Sequence, residues 1–139
     1  MPNEKKCVIV ANENMPMGLL VNTAALLGIS LGQKFPELVG QDVADASGQV
    51  HPGLIIIPLP ILKGDASRLR SLREQVSAMD DDELYMVDFS DVAQSCLTYP
   101  DYMEKSDATR EEHYTYLGLA IYGDKKKVNK LTGSLPLLR

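Results

Sequence analysis

Cys7-Val8-Ile9-Val10-Ala11 is an unbroken apolar run, and soon after it comes Pro16-Met17-Gly18-Leu19-Leu20-Val21-Asn22-Thr23-Ala24-Ala25, a stretch without a charge. The first run does not alternate apolar with polar residues, so it predicts a strand covered on both faces. In the second, Met17, Leu20, Val21, Ala24 and Ala25 follow the i, i+3, i+4, i+7, i+8 spacing of one apolar helix face. Asn14 is placed to cap that helix, Pro16 suits its first turn, and Gly28 and Gly32 are stop points.

Three further apolar runs repeat the strand signal: Leu54-Ile55-Ile56-Ile57, Leu84-Tyr85-Met86-Val87 and Leu117-Gly118-Leu119-Ala120-Ile121-Tyr122. Pro58 and Pro60 are read as ending the first of these, because proline supplies no ladder donor. A second helix is marked by Leu69, Leu72, Val76 and Met79, with Asp65 as its cap and Arg68, Arg70 and Arg73 mostly on its wet side. Residues 38–53 read as a turn-rich excursion with a hairpin tip at Asp45-Ala46-Ser47-Gly48, and residues 90–113 as polar and partly helical. The alternation predicts one three-layer α/β domain over residues 1–139. The apolar tail, with Leu135, Leu137 and Leu138 around Pro136, is expected to dock on its own domain or on a neighbouring subunit.

With 45% hydrophobic and 24% charged residues, the 139-residue chain can bury a core without a disulfide or metal staple, which excludes disorder as its main state. No apolar stretch reaches the ~20 residues that span a bilayer, so no membrane association is expected. The two cysteines, Cys7 and Cys96, and the lack of a secretory leader fit a reducing, cytoplasmic setting. A net charge of −5 argues against nucleic-acid partners. The charge is uneven: residues 125–139 hold Lys125, Lys126, Lys127, Lys130 and Arg139 with no acid. That basic end either stays solvated or neutralises helix C-terminal carbonyls, meets an acidic partner, or holds an anion. The run Asp80-Asp81-Asp82-Glu83 reads as a solvated loop.

Phosphate-loop, nucleophile-elbow and paired-cysteine motifs are absent, and no cofactor is implied. Asp42, Asp45 and His51 offer two carboxylates and an imidazole, but their spacing across a turn favours a hydrogen-bonded hairpin over a metal site. Cys7 reads as a small buried hydrophobe, and Cys96 has no sequence neighbour that would lower its pKa. Sites collect beyond the carboxyl ends of parallel strands. Residues expected there are Asn12 and Asn14 after the first strand, Asn22 on the first helix, and Asp88 and Ser90 after the third strand. Asp88 is a candidate catalytic base or substrate anchor, and the others are candidate ligand contacts. The alternative is that Asp88 or Ser90, and Asn14, cap helices. Tyr99, Tyr102, Tyr114 and Tyr116 either line a pocket or pack with their hydroxyls at a rim.

Val8-Ile9-Val10-Ala11-Asn12, Gly18, Asn22-Thr23-Ala24-Ala25, His51-Pro52-Gly53, Tyr122-Gly123 and the ending Lys130-Leu131-Thr132-Gly133-Ser134-Leu135-Pro136-Leu137-Leu138-Arg139 resemble an uncharacterised bacterial family, the domain of unknown function two thousand. The resemblance implies a fold like that of peptidyl-tRNA hydrolase II, with a four-stranded mixed sheet between helices, often in a homodimer. Peptidyl-tRNA hydrolase II carries Gly-Lys where this chain has Gly18-Leu19, and an aspartate where it has Asn14. Its Asp-Ala-Gly-x-Thr motif is matched only at the aspartate of Asp88-Phe89-Ser90. Binding of a small ligand or peptide end is therefore the leading expectation. One alternative is a hydrolase of altered substrate in which Lys126, Lys127 or Lys130 replaces the missing cation; the other is a structural homodimer held by the C-terminal tail.

Overall fold

β1 (Lys5–Asn12) runs through the middle of the sheet, and Cys7 to Ala11 have no solvent exposure at all. This is a computed structural model, and it describes residues 4–139. After β1 come α1 (Met17–Lys34), a small hairpin of β2 (Val43–Ala44) and β3 (Val50–His51), β4 (Ile61–Gly64), α2 (Ala66–Met79) and β5 (Leu84–Ser90). Two short helices, α3 (Asp91–Gln94) and α4 (Tyr99–Asp107), lead to β6 (Tyr116–Asp124) and α5 (Lys125–Thr132). The main sheet is mixed and four-stranded in the order β4-β1-β6-β5. β1 and β4 are parallel, and β6 is antiparallel to both β1 and β5. The carboxyl ends of β1, β4 and β5 therefore share one end of the sheet.

Both faces of the sheet are covered, as unalternating strands require. Cys7, Ile9, Phe89 and Ala120 pack with Leu27 and Leu31 of α1. On the other face, Val8, Val10, Leu119 and Ile121 pack with Leu69, Leu72 and Val76 of α2 and with Val128 and Leu131 of α5. Burial raises the Cys7 thiol pKa, in keeping with an inert packing residue. Close approach of α1 depends on Gly118: a Cβ there would lie 2.6 Å from Thr23 Cγ2 and 3.0 Å from Leu27 Cδ1.

Several expectations need correction. Leu54–Ile57 is not a sheet strand; Ile55 makes a lone bridge with Val39, and Leu54 is 80% exposed. Pro58 and Pro60 precede the true strand, Ile61–Gly64, and Pro60 contributes only its carbonyl, which accepts the Ile9 N–H at 3.0 Å. Proline is tolerated there because the strand needs no donor from it. The buried face of α1 is Thr23, Leu27 and Leu31, while Met17 and Val21 are exposed. The helix runs through Gly28 and Gly32 to Lys34. Asn14 caps nothing; the N-cap residue is Pro16, and the Asn14 N–H donates to Asn12 Oδ1 at 2.9 Å.

Other readings are met. Asp65 Oδ1 accepts the Arg68 N–H at 2.8 Å and caps α2. The hairpin turns at Gly48, which has φ of +82°, and Asp45 and His51 pair across it at 2.9 Å. Asp42 instead accepts the Gly53 N–H at 3.0 Å. The tail docks on its own domain along the outer edge of β4: the Lys63 N–H donates to Pro136 O at 3.0 Å, and the Leu138 N–H to Ile61 O at 2.8 Å. Among the described residues no helix is long and apolar enough to cross a membrane.

Candidate functional site

β5 is the outer strand on the side away from β4, and its alternation decides what it presents to each layer. Tyr85, Val87 and Phe89 face the α1 layer, whereas Leu84 and Met86 face the α2 layer. Asp88 shares the parity of Met86 and meets Arg73 of α2, whose Nε donates to Asp88 Oδ2 at 3.2 Å. A groove of about 690 Å³ follows this edge and is lined by five consecutive strand residues, Tyr85 to Phe89. Lining by residues of both parities means that it wraps the strand edge rather than one face of the sheet. Leu26, Ile29 and Ser30 of α1 form one wall; Thr98, Tyr99 and Tyr102 at the start of α4 form the other.

Asp88 also borders a smaller polar pocket of about 250 Å³, shared with Arg73, Tyr102, Glu111, Tyr114 and Tyr116. Glu111 Oε2 is its hub, accepting from Tyr116 Oη at 2.6 Å and from Arg70 Nη1 at 3.0 Å, with Arg73 Nη1 at 3.7 Å. The Tyr116 bond and the two guanidiniums hold the Glu111 carboxyl below the usual range. Burial, reinforced by the same bond, raises the Tyr116 hydroxyl pKa, so it stays a donor. The Arg70 and Arg73 guanidiniums lie over the Tyr116 ring, 5.3 and 5.0 Å from its centroid. Arg70 Nη2 also donates to the carbonyls of Glu111 and Tyr114, which fixes the turn before β6. Tyr102 has its pKa raised by burial first and then by the Asp88 charge.

Two guanidiniums thus balance two carboxylates, and Arg73 anchors Asp88 at the junction of the pockets. Among the described residues no nucleophile–base pair stands beside Asp88. Cys96 lines the groove, but its Sγ donates to Val92 O at 3.3 Å, and both histidines lie elsewhere. What the site presents is a fixed carboxylate at the end of an apolar, tyrosine-walled slot.

Of the candidate catalytic and ligand-contact residues singled out from the sequence, only Asp88 faces the groove; of the four tyrosines, Tyr99 and Tyr102 line the groove, and Tyr114 and Tyr116 line the smaller pocket with Tyr102. Asn12 is buried and committed to the turn with Asn14, and Asn14 and Asn22 are exposed. Asn22 needs no buried partner because the apolar stripe it adjoins faces outward. Ser90 is wholly buried and caps α3 through the Ala93 N–H. Lys127 is held by Asp81 and Glu83 at the opposite end of β5, and Lys130 is exposed on α5. The acidic run is therefore not simply a solvated loop: Asp81 and Glu83 are ion-paired to the basic end through Lys127, a pairing that neither segment announces by itself. The cation beside Asp88 is Arg73, and with Arg70 it is turned inward, about a quarter exposed, rather than lying on the wet side. A signal for Arg73 existed: at about 100° per residue it lies about 40° beyond Leu69, on the flank of the apolar arc of α2 rather than opposite it. Among the described residues no three His, Cys, Asp or Glu gather in a metal-binding group.

A solved structure of a protein of unknown function from Agrobacterium tumefaciens is similar over 98% of each chain, with a TM-score of 0.87 and 18% identity. At that identity the likeness shows the fold alone. A search of curated proteins finds no match. Residues 5–139 match the model of the family described as protein of unknown function (DUF2000). The chain is a member of the DUF2000 family.

Proposed function

We propose that the groove beside β5 binds a small ligand, or the end of a peptide, that carries a cationic amine, with Asp88 as its anchor. The observation that carries this reading is the position of Asp88, the one charged residue lining the groove, held from behind by Arg73. A carboxylate has room for several donors, and among the described residues only Arg73 hydrogen-bonds to this one. Apolar walls and a few convergent polar groups are the usual make-up of such sites.

Thermal denaturation with a panel of amine-bearing fragments tests it. At about 100 times Kd, binding adds about 2.7 kcal/mol, which raises Tm by roughly 8–10 °C in a domain of this size. Asp88→Asn should remove the shift while still unfolding in one cooperative transition, at a Tm somewhat lowered by loss of the Arg73 ion pair. A panel in which no amine shifts Tm, or shifts that survive Asp88→Asn, would refute the reading.

A second reading keeps a hydrolase related to peptidyl-tRNA hydrolase II. Its support is Arg73, a cation beside Asp88 that compensates for the lysine missing after Gly18. Release of an N-blocked amino acid from aminoacyl-tRNA, abolished by Asp88→Ala, would establish it, and turnover unaffected by that change would dismiss it. For the structural homodimer, the tail expected to hold it lies along β4 of its own domain, and the support that is left is the uncharged outer side of α1, where Met17 and Val21 are exposed. Light scattering should then give twice the chain mass, reduced to one by Val21→Lys.

A further inference from the structure

The two outer strands of the sheet are treated differently. β4 has its free edge occupied by the chain's own tail, with Leu137 bridged to Leu62 in an antiparallel arrangement. β5 is longer, seven residues against four, and carries neither a lysine nor a proline, the residues that commonly blunt an open edge. Its irregularity is confined to the end, between Phe89 and Ser90.

Hydrogen-bond phase shows which groups β5 offers. The Asp124 N–H donates to Glu83 O at 3.0 Å, and the register pairs Leu84 with Gly123 and Tyr85 with Tyr122. Bonded and non-bonded pairs alternate in an antiparallel ladder. Tyr85, Val87 and Phe89 therefore bond to β6, while Leu84, Met86 and Asp88 turn their N–H and C=O groups outward. The Leu84 N–H is used by Asp81 O, which leaves the Met86 and Asp88 backbones facing the groove.

Resting on the reading of the groove as a binding site, we propose that its occupant is an extended peptide, added as a strand antiparallel to β5 with its N-terminal ammonium at Asp88. Four backbone groups, the N–H and C=O of Met86 and Asp88, would hold the peptide, as in other edge-strand additions. The direction follows from the shape of the slot. β5 passes directly into α3, and Ala93 and Cys96 line the groove beyond Asp88. A peptide that begins at Asp88 must therefore run back towards Tyr85, four residues and roughly 14 Å at about 3.4 Å each. Its alternate side chains meet Leu26 and Ile29 on one side and Tyr99 and Tyr102 on the other, so both sets are apolar.

Charge decides between a peptide and a second copy. Around this edge α3 and α4 carry Asp91, Asp101, Glu104 and Asp107, which with Asp88 outnumber Lys105, Lys34 of α1 over the Tyr85 ring and Arg73 beside Asp88, and the whole chain has a net charge of −5. Pairing β5 with itself would bring two acidic rims together around two Asp88 carboxylates, whereas an ammonium-ended apolar peptide meets a complementary site.

The test uses the full-length protein and a randomised pentapeptide pool, with free or acetylated amino termini, read by affinity enrichment and mass spectrometry. Enriched free-amine peptides are expected to lose about tenfold or more in affinity on acetylation, and as much against Asp88→Asn. Methylating alternate peptide nitrogens should abolish binding in one phase and spare it in the other, and bound peptide should protect the Met86 and Asp88 amides from exchange. Enrichment that tolerates methylation in both phases and leaves those amides unprotected would overturn strand addition and leave the amine-binding reading intact. Protection that is indifferent to acetylation and to Asp88→Asn would overturn the ammonium at Asp88 and that reading with it. No enrichment from the pool would overturn the peptide proposal, whatever the amine fragments do.

Discussion

Adding one methyl group at Gly118 should unseat α1. An ideal Cβ there falls 2.6 Å from Thr23 Cγ2, about 1 Å inside the ~3.5–4.0 Å optimum for a carbon pair. Thr23 has no easy escape: it is fully buried, and its hydroxyl donates to Leu19 O at 2.7 Å, which fixes the rotamer that aims Cγ2 at the sheet. The helix must retreat or the side chain must leave its rotamer, and overpacking of this kind costs about 1–3 kcal/mol. We expect Gly118→Ala to lose about 2 kcal/mol, which is about 1 M in urea midpoint at a slope of about 2 kcal/mol/M. Thr23→Ser removes Cγ2 while keeping the hydroxyl, and alone costs about 1 kcal/mol for the lost methyl. In the double variant the new methyl takes the vacated space, so its loss should fall short of the sum by about 1.5 kcal/mol. Urea titrations of the four proteins, with unchanged slopes, complete the cycle. A Gly118→Ala variant within about 0.5 kcal/mol of the parent, or additivity within that margin, would refute the account of how α1 is seated. Because α1 supplies the Leu26 and Ile29 wall, the single variant should also weaken any groove ligand.

Acid should loosen the pocket through Glu111. Its carboxyl is depressed by the Tyr116 bond and the two arginines, so the stabilisation it contributes is complete above the ordinary glutamate range. That contribution is lost as pH falls through the native value, and Glu111→Gln should flatten this part of a stability profile measured by urea titration between pH 6 and pH 3. Removing residues 135–139 uncovers the edge of β4 and the core surface that Leu135 packs on, so light scattering should show concentration-dependent assemblies absent from the parent. Lys127→Ala should lower the urea midpoint in dilute buffer, because Lys127 ties Asp81 and Glu83 to α5, and the difference should shrink in 1 M salt. A salt-independent loss would mean that the Lys127 stem, not its charge, holds the turn.

The legible parts of the fold were those where one strong signal had no competitor. The runs at Cys7–Ala11, Leu84–Val87 and Leu117–Tyr122 lie in β1, β5 and β6 because each is apolar on both parities and so must be covered on both faces. Leu54–Ile57 carries the same signal and is not a strand; four apolar residues before Pro58 cannot be told from a loop by periodicity alone. α1 defeats phasing for a related reason. It has no charge before Lys34, so an outward stripe and an inward stripe look alike, and the gap at Gly118 chooses between them. Asn22 follows that phase and lies on the exposed side of the helix. Asp88 is legible from its place at the carboxyl end of the third predicted strand, where sites collect. Its partners are not, because Arg73 and Glu111 are distant in sequence and meet only when α2 and the turn before β6 close over Tyr116.

The position of β6 in the sheet governs when this protein can become a folded one. β5 is hydrogen-bonded to β6 alone, and β6 is what joins it to β1. A nascent chain that ends before Tyr116 already holds β1, β4 and β5, yet its β5 has no neighbour in the sheet. Synthesis in order from the amino terminus therefore cannot build this sheet outward strand by strand. The strand between β1 and β5 arrives after both, and it must enter a gap that the earlier strands have kept open. Pairing over such sequence distances is slow. Until it happens, the Leu84–Phe89 segment is exposed on both edges, open to whatever extended chain it meets first.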